Sequence, residues 1–150
     1  MLLTPKIPSR PKAFTLTEII ITIIIMAIIM TLASIKYTRT MAQSYEQDLL
    51  LQMRVINNML EVERRMQGDF PTANMSTLNE INTTLQLQIP ASNYYTSYAY
   101  VYTPPTGTPP GTYALTVGTK ESWAITYSST TGKYACSAGT CPSCTATSCD

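Results

Sequence analysis

The chain has 150 residues, 45% hydrophobic and 13% charged, with a formal net charge of +1 and no histidine. That length suits one domain plus an anchor, and so small a core needs help from a long helix or from cross-links. The charge is uneven: Lys6, Arg10 and Lys12 carry the start with no acid among them, whereas from Gly68 onward two lysines face four acids, so the head has no basic patch with which to bind nucleic acid by itself.

Residues 1–13 are basic, hold three prolines and show no helical pattern, as a leader does. An apolar run without charge, proline or glycine follows over 19–35. Counted from Phe14 it makes 22 residues, roughly 33 Å as a helix and enough to cross a bilayer core. Thr22, Thr31 and Ser34 can return their hydroxyls to carbonyls one turn back. The positive start keeps the first end in the cytoplasm and puts everything after Ile35 outside it. Glu18 is the anomaly, a carboxylate on the lip of the apolar segment, where an acid usually marks a function with a specific partner. Cleavage between Ala13 and Phe14 would free an α-amino group one helical turn from it, or bring the amine of a neighbouring chain to it. Either pairing lowers the cost of placing both charges in an apolar medium.

The stretch Lys12-Ala13-Phe14-Thr15-Leu16-Thr17-Glu18 with its apolar helix resembles the prepilin leader and mature N-terminus of type IV pilins and type II secretion pseudopilins. Ala13 stands where that family usually has Gly, Thr17 replaces an aliphatic residue, and Ala27 and Ile35 occupy places where many members have a helix-breaking Gly and Pro. Tyr37 matches a common family tyrosine. The resemblance implies a prepilin peptidase that cuts before Phe14 and methylates the new amine. It also implies an assembly platform in the inner membrane, membrane lipid around the helix before assembly, and identical or related pilin subunits around it afterwards.

Beyond Ile35 the helical pattern continues. Met41, Tyr45, Leu49, Met53, Ile56 and Leu60 form one stripe and Leu51, Val55, Met59, Val62 and Met66 an adjacent one, together a broad face that reads as core. Gln43, Gln47, Arg54, Asn57 and Glu61 fall opposite, and Gly68 is a natural stop. Gly68-Asp69-Phe70-Pro71-Thr72 predicts a loop with Phe70 as an anchor. Thr77 and Glu80 have capping-box spacing, with Leu78, Ile81 and Leu85 at helical intervals behind them.

After Pro90 the period becomes two. Tyr94, Thr96, Tyr98, Tyr100 and Tyr102 alternate with Tyr95, Ser97, Ala99 and Val101, which predicts a strand. The Pro/Thr/Gly stretch 103–111 is a stiff exposed loop. Tyr113, Leu115 and Val117 mark a second strand; Trp123, Ile125 and Tyr127 a third after a turn at 120–122; and 133–136 a short fourth. The expected fold is α+β and pilin-like: a leader over 1–13, a transmembrane or filament-core helix over 14–35, its amphipathic continuation over 36–67, and a head over 68–150. In that head a three- or four-stranded antiparallel sheet packs on the helix.

Cys136, Cys141, Cys144 and Cys149 crowd the tail. Cys141-Pro142-Ser143-Cys144 is a CxxC, but without histidine or a second chelating pair, and outside the cytoplasm, disulfides fit better than zinc. Three connectivities are open. Eight of the ten tyrosines lie between Tyr94 and Tyr134; they read either as cross-strand packing or as an exposed aromatic surface for adhesion. Catalysis has no support: there is no histidine, no phosphate-binding glycine loop and no facing carboxylate pair. Glu61, Glu63, Arg64 and Arg65 read as a solvated face. With Glu121 and Asp150 the only acids past residue 80, no calcium cluster is expected, and no metal or cofactor. The expected function is therefore non-enzymatic, a structural subunit of a type IV filament, held by a single span before assembly and extracellular or periplasmic after it. Two alternatives are a single-span protein that binds a surface without polymerising, and a secreted domain released at Ala33.

Overall fold

A computed structural model describes residues 14–108, 110–145 and 147–149, without the side chains of 32–35. The leader, Ala13 and Asp150 lie outside them, as does the Ser34 hydroxyl. The chain divides into two compact units, Met1–Thr38 and Arg39–Asp150. One helix, α1 (Leu16–Gln67), contributes to both, and it is long and apolar enough to cross a membrane.

In the first unit the described side chains of α1 are all exposed, among them Ile19 to Ile21, Ile23 to Ile25, Ile28 and Ile29 at 43–60%. Among the described residues no apolar partner covers them. Thr22 donates to the Ile19 carbonyl at 2.8 Å and Thr31 to the Ala27 carbonyl at 2.5 Å, so these hydroxyls are satisfied within the helix, as a span in lipid requires.

In the second unit α1 buries a narrow band, with Leu50 buried beside the main stripe and Met59 partly buried against the core. Leu49, Met53, Ile56 and Leu60 are sealed at 0–1% exposure, while Leu51, Val55, Val62 and Met66 of the adjacent stripe are exposed. The broad core face is thus corrected to a narrow one. A sheet laid on a helix touches roughly one line of residues, and the flanks of that line here are Asp48, Gln52 and Asn57, which receive tyrosine hydroxyls. Gly68 ends α1 at φ +89°, with its N–H on the Arg64 carbonyl at 2.8 Å, the left-handed geometry that glycine adopts without strain. Phe70 is buried and packs edge-on against Tyr113, ring centroids 4.7 Å apart.

Helix α2 (Leu78–Thr84) carries the expected capping box at Thr77 and Glu80, with Ile81 buried. The strands β1 (Tyr95–Thr103), β2 (Thr112–Thr119), β3 (Ala124–Ser128) and β4 (Lys133–Ala138) form an antiparallel meander in the order β1-β2-β3-β4. Inward rows run Tyr100–Leu115–Tyr127–Tyr134 and Tyr98–Val117–Ile125–Cys136 across the register. On the outer face Thr116, Thr126 and Ser137 share hydroxyl bonds of 2.8 Å. Strict alternation fails at the start of β1, where a register shift between Tyr95 and Ser97 buries Tyr95 together with Tyr98 and Tyr100 and turns Thr96 outward. One inserted residue reverses the facing of everything before it.

Both outer edges of the sheet are covered. Met75 exchanges backbone bonds with Tyr100 at 3.0 and 2.7 Å and Asn74 accepts from the Tyr102 N–H at 2.8 Å, which closes part of the β1 edge. On the β4 edge Cys136 N–H donates to Thr145 and Cys149 N–H to Tyr134, at 2.8 and 2.9 Å. Edges so covered present fewer free groups to another chain.

Candidate functional site: a processing end and a cross-linked tail

Two places concentrate the polar chemistry. The first is the start of α1. Phe14 is 75% exposed and, with Thr15, precedes the helix. The Thr15 hydroxyl accepts from the Glu18 N–H at 3.4 Å, and the Thr15 carbonyl accepts from the Glu18 and Ile19 N–H groups at 3.1 and 3.3 Å. Thr15 therefore caps the helix and Glu18 sits at the third helical position, the T-x-x-E spacing of a capping box. That capping signal is present in the sequence, overlaid by the Phe14-to-Glu18 motif. Glu18 lies in the first turn, where the helix dipole favours an acid. Among the described residues it has no ion pair; the only one there is Glu61 with Arg64, at 2.8 Å. A carboxylate and an exposed Phe14 thus stand at the start of an apolar helix whose described side chains are exposed.

The second place is the C-terminal tail. Disulfides join Cys136 to Cys141 and Cys144 to Cys149, the sequential pairing. Cys136 lies within β4, so the first bond ties the tail to the sheet. Beneath the tail Glu46, fully buried on α1, accepts from the Ser143 N–H at 2.7 Å, the Ser143 hydroxyl at 2.6 Å and the Cys144 N–H at 2.8 Å. A buried carboxylate without a cation is costly unless donors surround it, and here the tail supplies all three. Sequence reasoning missed Glu46, although it stands in phase with Leu49, Met53, Ile56 and Leu60 at intervals of three and four. An acid in phase with a buried stripe signals a partner elsewhere in the chain. Glu46, Cys144 and Cys149 bring metal-type donor atoms within 4.8 Å of one another, but both sulfurs are spent in a disulfide and the carboxylate oxygens face N–H and O–H donors.

The tyrosines of the head line the core or pack against it. Tyr95, Tyr98, Tyr100, Tyr113 and Tyr127 are buried. Tyr95 donates to Asp48 at 2.7 Å, Tyr98 to Gln52 at 3.4 Å, Tyr113 to Asn57, and Tyr100 to the Pro71 carbonyl at 2.8 Å. Their rings fill the layer between sheet and helix while the hydroxyls bolt to the flanks of the buried stripe. Burial pushes the Tyr98 hydroxyl up from 10.0 to about 12, with the Asp48 charge adding, and Tyr94 to about 12, with Glu121 adding. Arg64, expected on a solvated face, instead lies over the Phe70 ring at 5.6 Å while paired to Glu61.

Asp69 fastens the base of the Pro/Thr loop. It accepts from the Tyr102 hydroxyl at 2.6 Å and the Gly111 N–H at 2.9 Å. The Tyr102 bond is the main cause holding the Asp69 carboxyl below its ordinary value, against some desolvation and with help from the Gly111 and Phe70 N–H groups. Gly111 is needed there, because a Cβ would sit 2.6 Å from the Tyr102 ring and 2.7 Å from the Thr103 carbonyl.

Residues 8–34 match the family model described as the prokaryotic N-terminal methylation motif. No curated protein and no solved structure matches the chain.

Proposed function

We propose, for a chain that carries the signature motif of type IV pilins and pseudopilins, that it is a structural subunit made as a membrane-held precursor. It is cut between Ala13 and Phe14, methylated on the Phe14 amine, and assembled through α1 into a filament outside the cytoplasm. The observation that carries the reading is the methylation motif at 8–34, which takes in the start of an apolar helix that no described residue covers. Such a helix has two suitable media, lipid before assembly and like helices after it. The exchange between them is apolar for apolar, so it costs little per subunit and a motor can drive it. The exposed stripe of Leu51, Val55, Val62 and Met66 supports the same reading, because a subunit in a helical bundle keeps apolar surface for its neighbours. The motif also supports a single-pass anchor, and the family that bears it is structural rather than enzymatic.

Glu18 has a defined part in this account. Unpaired among the described residues, it awaits the amine created by cleavage, its own or that of an incoming subunit. Glu18→Gln keeps shape and hydrogen bonding but removes the charge. Insertion and cleavage should survive, because the apolar run and the residues flanking the cut are unchanged. Assembly should fail, since an uncompensated buried charge costs ~3–5 kcal/mol. Sheared filaments measured beside precursor and mature subunit in the same cells give the readout. A normal filament yield would reduce Glu18 to an incidental polar residue.

A further inference from the structure

The CxxC of the tail is divided between two different disulfides, and beneath it lies Glu46, buried on α1 and accepting three hydrogen bonds from that loop. We infer that Glu46 is a positioning residue that selects the pairing of the four cysteines, docking the Pro142–Cys144 turn on α1 so that Cys144 closes on Cys149 instead of on Cys141.

Chain entropy alone would not make that choice. The observed bonds each span 5 positions. The nested alternative would join Cys141 to Cys144 and Cys136 to Cys149, and the crossed one Cys136 to Cys144 and Cys141 to Cys149. Loop closure scaling as the −3/2 power of loop length favours the sequential set by only about twofold over the nested and about fourfold over the crossed. A further determinant is needed for a single product, and the geometry supplies one. The amides of Ser143 and Cys144 both point at Glu46, one to each carboxylate oxygen, with the Ser143 hydroxyl on Oε2. The three bonds fix the backbone of Cys144 against the helix. Cys141 is placed separately, its sulfur 3.6 Å from the carbonyl of Ala124, the first residue of β3. The two halves of the CxxC thus lie against different elements, Cys144 on α1 and Cys141 on β3.

The chemistry is ordinary thiol oxidation. An external disulfide oxidant forms a mixed disulfide with one cysteine of a pair. The partner thiolate displaces the oxidant's thiol, so two electrons and two protons leave with the reduced oxidant. Glu46 touches neither sulfur in this exchange; it acts through the backbone that carries Cys144. The consequence is structural. With this pairing the tail lies along β4, with Thr145 and Cys149 bonded to Cys136 and Tyr134, and covers that edge of the sheet.

Residues 134–150 contain all four cysteines and neither lysine nor arginine, so trypsin leaves them on one peptide, and tandem mass spectrometry can read the pairing. Full-length chain is made in an oxidising compartment, free thiols are blocked, and the unreduced peptide is fragmented. Backbone scission between Cys141 and Cys144 separates it into two pieces only when the pairing is sequential; the nested and crossed forms stay joined. The wild type should separate throughout. In Glu46→Ala the fraction that stays joined should rise to between about a third and a half, the mixture that loop closure alone would give. Ser143→Ala, which removes one donor of three and leaves the helix intact, should show a smaller rise, and it serves if Glu46→Ala does not accumulate. A joined fraction as low as wild type in the recovered variants, or a wild type that is itself joined or carries free thiols, overturns the inference. The test asks nothing of cleavage or assembly, so it can fail independently of the filament reading.

Discussion

Residues 16–31 and 46–60 belong to one helix, yet their apolar side chains meet opposite fates. In the first stretch the apolar side chains are exposed on every side. In the second, Leu49, Met53, Ile56 and Leu60 are sealed under a sheet while Leu51 and Val55 beside them are not. A helix apolar all round has no direction in which to fold and needs an apolar medium outside the chain. A striped helix gives the rest of the chain a line to pack on. The difference lies in where polar residues interrupt the pattern: none between Ile19 and Met30 except Thr22, but Asp48, Gln52 and Asn57 at the flanks of the second stretch.

The sharpest way to break this comparison is to truncate one residue from each stripe of the second stretch. Leu60→Ala should cost ~2–5 kcal/mol of head stability, because the cavity opens under a close-packed sheet. Val62→Ala, two residues on but exposed, should change it by no more than ~0.5 kcal/mol. Denaturant titration of the detergent-solubilised chain measures both. Equal losses would mean that the second stripe is also core and that the exposed face is covered within the chain.

A smaller effect comes from the tyrosine bolts and is read by raising the pH. The folded values of Tyr94 and Tyr98 stand at about 12 against 10.0, chiefly through burial, and Tyr95, Tyr100 and Tyr113 are shifted in the same direction for the same reason. Since the folded values are raised, the unfolded chain loses these protons first. The stability they contribute is intact below about pH 10 and falls as the pH climbs through about 12. Tyrosinate absorbance from these residues should therefore rise late and together with loss of the fold. Most tyrosines titrating near 10 in folded protein would place them on the surface, the adhesive reading that their burial argues against.

Much of this architecture was legible because periodicity changes where structure changes. The 3.6 spacing up to Met66, the stop at Gly68, the Thr77–Glu80 cap and the alternation from Tyr98 onward all carry their own signals. Which of two adjacent apolar stripes would be buried carried none, since both satisfy the helical period and the choice depends on where tyrosine hydroxyls find Asp48, Gln52 and Asn57. The inserted residue at Thr96 was invisible for a related reason: in a run of tyrosines on both parities, slipping by one leaves the pattern unchanged. The disulfide partners depended on a contact between Glu46 and Ser143, 97 positions apart, which no local pattern encodes. At the start of α1 the reverse held: the methylation motif, Glu18 and the apolar run were plain in the sequence.

The central claim is that the uncovered half of α1 belongs to a processed subunit whose new amine meets Glu18. It is tested most directly by mass spectrometry of the mature N-terminus, from cells with an active prepilin peptidase. The account predicts a chain beginning at Phe14 with a methylated amine. A mature chain beginning at Ser34, or a precursor left uncut, would contradict it.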